Sequence, residues 1–276
     1  MTKAPRKPSR TTRTSNPPIR IATFNVNGLG GRLDNLLAWL RDTQPHIVCL
    51  QELKTQHERF PRLELAKAGY DSVWAGQKSW NGVAILSRIG APTIIRDALP
   101  GDPSDSHARY IEAAISGIVI ASIYLPNGNP QPGPKFDYKL AWFARLRRHA
   151  ASLLKAKVPV VLAGDFNVVP TEQDIYLTTS YDDNALIQPE SRKAWRDLLK
   201  QGWTDSIRHL HPDETIYTFW DYLRNRWPRN AGLRIDHILL SPDLAPRLKA
   251  AGVDRDVRGK PHPSDHAPVW IELKPA

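Results

Sequence analysis

Residues 158–167 read VPVVLAGDFN, an apolar run from Val158 to Ala163 that stops on a glycine, an acid, an aromatic and an amide. A Val-rich run of this length is a strand buried on both faces, and the polar residues after it mark the point where it opens onto a loop. The same grammar recurs at Ile19–Val26, closing on the turn-like Asn25-Val26-Asn27-Gly28, and at His46–Leu50, closing on Gln51-Glu52. Between those two, Leu33, Leu36, Leu37 and Leu40 fall at i, i+3, i+4 and i+7, the face of an amphipathic helix that Pro45 stops.

Working outward, strands are expected at Gly82–Ser87, Tyr110–Ile115 and Val119–Leu125, the last two joined as a hairpin through Ser116-Gly117. Later strands are expected at Thr215–Tyr222, Leu233–Leu240 and Ala267–Leu273. Helices are expected near Arg62–Ala68, Lys135–Lys155 and Arg192–Lys200, with a Pro/Gly-rich loop at Pro126–Pro134 and a polar stretch near Pro170–Glu190. Hairpins mixed with βα units argue against a purely parallel sheet, and no G-x-G-x-x-G opens a helix. One α/β domain over residues 19–276 accounts for the pattern, with no strong internal repeat.

The chain has 276 residues and a formal charge of +10. Residues 1–18 hold Lys3, Arg6, Lys7, Arg10 and Arg13 with no acid, half of that charge in a Pro-, Ser- and Thr-rich segment without periodicity. This reads as a disordered basic arm, suited to a polyanion such as nucleic acid. It lacks the apolar region of a secretory signal, and no run is long enough to span a membrane. The single cysteine, Cys49, excludes an internal disulfide. A cytoplasmic protein, nucleoid-associated if bacterial, is the expectation, with organelle targeting by the arm left open.

Apolar runs finish in a recurring set: Asn25, Glu52, Tyr124, Asp165 with Asn167, Asp236, and Asp265 with His266. Singly, each has a plain structural reading as a cap or a turn residue. Together they fit one chemistry, hydrolysis of a phosphate ester. Glu52, Asp265 and the Asn25 amide suit a hard cation, Asp165 can accept a proton from water, and Asn167, Tyr124 and His266 can donate to phosphoryl oxygens. Asp236 behind His266 would keep the imidazole oriented and charged. No G-x-S-x-G, H-E-x-x-H or P-loop competes.

Five motifs carry a resemblance: Thr23–Gly28, Leu50-Gln51-Glu52, Gly164–Asn167, Gly232–Asp236 and Ser264–Val269. In this order and over nearly all of residues 19–276, they resemble the exonuclease III family of the endonuclease/exonuclease/phosphatase superfamily. The resemblance implies a four-layer α/β sandwich, two mixed β-sheets packed face to face and flanked by helices. It implies a Mg²⁺- or Mn²⁺-dependent monomer that cuts duplex DNA 5′ to abasic sites, with 3′-5′ exonuclease and 3′-end-cleaning activity. By position, Glu52 and Asp265 are the main metal ligands with Asn25 nearby, and a second ion would draw on Asp165, Asn167 and His266. Asn167 and Tyr124 hold the phosphate, and Asp236 pairs with His266. Phe219 and Leu233 build the abasic pocket with Trp220 mostly structural, and Asn127, Arg109 and Lys54 contact DNA. Asn27 stands where some relatives have Asp, and the Asn127–Pro134 loop lacks an Arg that many relatives place there. The rival readings are a superfamily phosphoesterase acting on lipid or inositol phosphates, and a catalytically silent DNA-binding relative.

Overall fold

The computed structural model describes residues 18–275; the expected basic arm otherwise lies outside the described residues. In chain order the strands are β1 (Ile19–Asn25), β2 (Ile47–Gln51), β3 (Asp71–Ala75), β4 (Val83–Ser87), β5 (Thr93–Arg96), β6 (Tyr110–Ile115), β7 (Ile118–Tyr124), β8 (Val160–Asp165), β9 (Thr204–Asp205), β10 (Asp236–Leu240), β11 (Leu248–Val253) and β12 (Val269–Leu273). The α-helices are α1 (Leu33–Thr43), α2 (Arg62–Lys67), α3 (Pro134–Lys155), α4 (Pro189–Leu199) and α5 (Ser206–Leu210).

They form two six-stranded mixed sheets, ordered β11-β12-β1-β2-β4-β3 and β5-β6-β7-β8-β10-β9. Each sheet has one parallel pair at its centre, β1 with β2 and β7 with β8, and antiparallel neighbours elsewhere. The two sheets therefore repeat one plan, although no sequence repeat betrays it.

The period of two along each strand divides the core into layers. Ile21, Ile47, Cys49, Ile85, Ile111, Ala113, Val161, Ala163 and Ile238 face inward and pack one sheet on the other. Their neighbours Ala22, Phe24, Val48 and Leu50 face outward against Leu36, Trp39 and Leu40 of α1 and Leu65 of α2. On the opposite side, Ala121, Ile123, Val160 and Leu162 meet Trp142, Phe143 and Leu146 of α3 with Trp195 and Leu198 of α4. The expected four-layer sandwich is the observed one.

Three expectations need correction. Thr215–Tyr222 is not a strand: Phe219 makes single-residue bridges to Leu233 and to His266. The reason is a change of partner at each step, since Phe219 N–H donates to Leu233 O while Trp220 N–H donates to Asp265 O, so no ladder propagates. Second, Asp236 starts β10 and Asp265-His266 precede β12 instead of ending strands. Because β10 runs antiparallel to β8 and β12 to β1, a strand start there lies on the same edge as the ends of β1 and β8. Third, β3, β5, β9 and β11 are strands that the apolar pattern did not reveal. β5 is exposed at every residue, and β11 alternates only partly.

Candidate active site

The polar edge is built where the two sheets meet. Asn25 ends β1, Glu52 follows β2, and His266 precedes β12 on one sheet; Tyr124 and Asp165 end β7 and β8, and Asp236 starts β10, on the other. In the sheet register Asp236 lies directly opposite Asp165, and Tyr124 lies beside it. Gly164 lets the end of β8 lie this close to β7: a Cβ there would stand 1.9 Å from Ile123 O. No side chain fits that approach.

Asn25 is fully buried and bridges the two sheets, its Nδ2 donating to Glu52 Oε1 (2.8 Å) and to Asp165 Oδ2 (2.9 Å). Its Oδ1 accepts Asn27 N–H at 3.0 Å, so Asn25 holds the two carboxylates as a donor instead of turning its oxygen toward them. His266 Nδ1 meets Asp236 Oδ2 at 2.8 Å, and its Nε2 faces Asp165 Oδ2 at 3.9 Å. Asp236 Oδ2 also accepts Thr218 Oγ1–H at 2.6 Å, and Thr218 Oγ1 in turn accepts the Ile235 and Asp236 N–H groups. Glu52, Asp165 and His266 each bring a ligand atom within 4.8 Å of the others, a group that could hold a metal ion.

Charge balance follows from this geometry. Burial works against a charged His266, but Asp236, then Asp165 and Asp265, outweigh it and push the imidazole up to about 10. It is an imidazolium at neutral pH, so its remaining N–H points toward Asp165 as a donor. Asp165 is driven the other way: burial first, then the charges of Asp236 and Glu52, hold it well above the usual carboxylate range, against the pull of His266. Burial also opposes a charged Glu52, yet Lys54 and the Asn25 amide keep it below its ordinary value. The Tyr124 phenol is raised by burial and then by Glu52 and Asp165, so it stays a proton donor.

Asn167, in the left-handed region at φ 46°, donates from its own N–H to Asp165 Oδ1 (2.9 Å) and from Nδ2 to Leu125 O (2.9 Å). Asn127 Nδ2 donates to Asn167 Oδ1 at 3.0 Å, which locks the two amides face to face. Each amide nitrogen keeps a second N–H for a ligand. Arg109 lies over the Tyr124 ring, 4.7 Å from its centroid, and donates to Tyr124 O.

Asp265, expected as a metal ligand, and Lys54, expected as a DNA contact, meet through the Asn27 side chain. Asp265 Oδ1 accepts Asn27 Nδ2–H at 2.9 Å, and Lys54 Nζ lies 2.8 Å from Glu52 Oε2 while donating to Asn27 Oδ1. Asn27 therefore joins the lysine to Asp265. An aspartate at 27 would keep Lys54 but repel Asp265; the amide serves both.

Phe219 sits edge-on to the His266 ring, centroids 5.0 Å apart, and Trp220 is 1% exposed against Tyr217 and Ala267. Leu233 is buried among Ile175, Tyr181, Leu186 and Ile235, with Phe219 against that cluster, so it underlies the site instead of lining open space. Sequence reasoning missed Thr218, hidden in an aromatic run, and Lys139. The signal for Lys139 was its place on the apolar face of α3, three residues after Phe136 and four before Phe143.

The fold and this edge define a class: a two-sheet sandwich with a buried carboxylate–imidazolium centre at the seam. The chain belongs to the Endonuclease/Exonuclease/phosphatase family, whose model matches residues 22–266. It is 33% identical to the exodeoxyribonuclease III of Haemophilus influenzae over 268 residues, covering 93% of this chain and 100% of that protein. A solved structure of a 3′-5′ exonuclease from Neisseria meningitidis matches with a TM-score of 0.90 and 40% identity, covering 93% of this chain and 100% of the other. An AP endonuclease from Archaeoglobus fulgidus matches with a TM-score of 0.88 and 35% identity, covering 92% and 99%. Among the described residues, no helix is long and apolar enough to cross a membrane.

Proposed function

We propose that this chain is a DNA-repair phosphodiesterase that uses Mg²⁺ or Mn²⁺ to cut duplex DNA 5′ to abasic sites and to process 3′ ends. The observation that carries the reading is the buried imidazolium of His266, held by Asp236 and aimed at Asp165 beside the Asn127–Asn167 amide pair. Such a set binds a phosphodiester and handles one proton, which is what hydrolysis of that ester needs. The relatives named an exodeoxyribonuclease and an AP endonuclease supply the substrate class.

The donor set fits a hard cation: Glu52 and Asp165 present carboxylate oxygens, and the Asn25 amide keeps them together despite their repulsion. When bound, the cation would neutralise charge on the phosphoryl oxygens and the departing oxygen. The chain's own residues do the rest. Asp165 takes the proton from the attacking water, its raised affinity for a proton suiting it to that role near neutral pH. The free N–H groups of Asn127 and Asn167, the Tyr124 hydroxyl and the His266 imidazolium donate to the phosphoryl oxygens as charge builds there. Asp236, with Thr218 behind it, keeps the imidazolium charged and fixed in plane.

The test is a gel assay of the purified chain on one duplex with a single abasic site and one intact recessed duplex, with Mg²⁺, Mn²⁺ or EDTA. Incision 5′ to the abasic site that EDTA abolishes is expected. No cleavage of either duplex with either metal, or turnover of sphingomyelin or an inositol phosphate instead, would overturn the reading.

A further inference from the structure

Lys139 of α3 is fully buried, and its ammonium is spent on three main-chain carbonyls: Pro126 O (3.2 Å), Asn127 O (3.1 Å) and Asn167 O (2.5 Å). Burial pulls its pKa down to about 7 against the nearby Asp165 carboxylate, but only the charged form has three protons for the three acceptors. A lysine in a core is costly, since burial removes the water that stabilises its charge, and a position that only needed filling would take Leu or Met at less cost. The three carbonyls belong to two turns only, the ones that carry Asn127 and Asn167. Those turns are joined a second time, from the side of the cleft, by Asn127 Nδ2–H to Asn167 Oδ1 at 3.0 Å.

The first turn is also seated on the lysine stem. Gly128 has φ +91°, and a Cβ there would stand 2.6 Å from Lys139 Cδ and 3.1 Å from Ala185 Cβ. The chain just past Asn127 therefore touches the lysine methylenes so closely that only glycine fits.

Resting on the phosphodiesterase reading above, we propose that Lys139 is a positioning residue: from beneath the cleft its ammonium ties the Pro126–Asn127 turn to the Asn167 turn and so sets the two amides that grip the scissile phosphate. It touches no substrate. It acts through Asn127 and Asn167, whose free N–H groups must lie where the phosphoryl oxygens will be in the transition state. A displacement of about 1 Å in such donors costs about 10²-fold in rate.

A plain structural role would lower stability and leave the rate of the folded enzyme alone, so the test separates the two. Lys139→Met keeps the length and removes the donors, Lys139→Arg keeps a cation with donors, and Gly128→Ala pushes the turn off the stem while leaving the ammonium in place. Each is made in the full chain, checked for folding by circular dichroism and thermal melting, and assayed on both duplexes with Mg²⁺. Lys139→Met and Gly128→Ala should each lower kcat by about 10²-fold with KM changed far less, and Lys139→Arg should recover part of the loss. Asn127→Ala combined with Lys139→Met should be little worse than the more damaging single change, because both act on one contact. Folded Lys139→Met or Gly128→Ala protein with wild-type kcat, or losses that multiply in the double variant, would overturn the assignment. Should Lys139→Met not fold, Gly128→Ala decides alone. A wild-type chain that cuts neither duplex overturns the nuclease reading itself, a result distinct from an active wild type with an unaffected Gly128→Ala.

Discussion

Asp236→Asn removes the group that charges and orients His266. Asp236 Oδ2 receives the His266 Nδ1–H at 2.8 Å and the Thr218 hydroxyl at 2.6 Å, while its Oδ1 has no hydrogen-bond partner. An asparagine can present its oxygen to one side only, and its NH2 then falls where a buried polar atom has no acceptor. The charge effect is larger. Burial works against the charge, and Asp236 is the leading influence that lifts the imidazole to about 10; without it, only Asp165 and Asp265 oppose burial, and the value falls toward the ordinary range. At pH 7.5 a group with pKa 6.5 is protonated only about a tenth of the time, which alone costs about tenfold. Loss of a fixed ring orientation adds about 10–100-fold. The expected fall in kcat is therefore about 10²–10³-fold, or about 3–4 kcal/mol. The sign of the pH dependence is set by the imidazolium being the donor: activity is lost as pH rises through its pKa. The wild-type basic limb should lie high, near 10, and the variant's should move to near neutrality, so that the deficit shrinks at pH 6 and grows at pH 8.5. DNA affinity, read by fluorescence anisotropy in Ca²⁺, should change little because both groups are buried. A deficit equal at pH 6 and 8.5, with the limb unmoved, would refute the charge argument and leave Asp236 as a hinge for the ring only.

Three further outcomes are expected. Glu52→Gln should weaken metal binding and cut activity at ordinary Mg²⁺ by at least about 10²-fold, with partial recovery in excess Mn²⁺, followed by calorimetric titration and the gel assay; undiminished activity would remove Glu52 from the metal site. Asp174 is buried, which opposes its charge, but Arg234 and Arg208 hold it down at about 2. Its folded value is depressed, so its contribution is present above about pH 4 and lost as pH falls toward 2, about 2 kcal/mol in all. Urea unfolding across that range should show the loss, and Asp174→Asn should lack it. Phe219→Ala should open the space beside His266 to larger sugars and lower the ratio of abasic-site cutting to 3′ trimming; an unchanged ratio in the folded variant would make Phe219 packing alone.

The sequence disclosed residue types that sit where an apolar run gives way to an acid or an amide. That rule located Asn25, Glu52, Tyr124, Asp165 and Asn167, because the central strands are mostly apolar runs and a polar residue closing one marks its end. It failed for β5, exposed at every residue, and for β3, half-buried at the edge of its sheet, neither of which reads as a continuous apolar run. It also failed for Thr218, whose hydroxyl accepts the Ile235 and Asp236 N–H groups at the start of β10, a contact set by tertiary structure alone. Asn25 and Asp265 show the subtler limit. Their types suit a metal ligand, but which atom of Asn25 faces the carboxylates depends on the Asn27 N–H, and the place of Asp265 depends on the Asn27 side chain. Neither is readable without coordinates.

The site and the closure of the sandwich at this edge are the same set of contacts. One sheet brings Asn25, Glu52 and His266; the other brings Tyr124, Asp165 and Asp236; neither holds a working set alone. Asn25 spans from its own sheet to Asp165, and His266 spans from its own sheet to Asp236. One layer below, Gln51 Nε2 donates to Ser122 Oγ (3.0 Å) and the Ser122 hydroxyl donates to Leu50 O (3.0 Å), again from sheet to sheet. Left to themselves, three clustered carboxylates would push the sheets apart. The Asn25 amide, the Lys54 ammonium and the His266 imidazolium hold them instead, and the apolar interface of Ile21, Ile47, Ile111, Val161 and Ile238 supplies the burial that offsets the remaining repulsion. The raised proton affinity of His266 thus depends on the sheet–sheet contact, since Asp236 and Asp165 reach it from the other sheet, whereas that of Asp165 comes from burial and from Asp236 on its own sheet. A slip of one sheet by about 1 Å would loosen the hold on His266 and cost the preorganisation on which turnover depends.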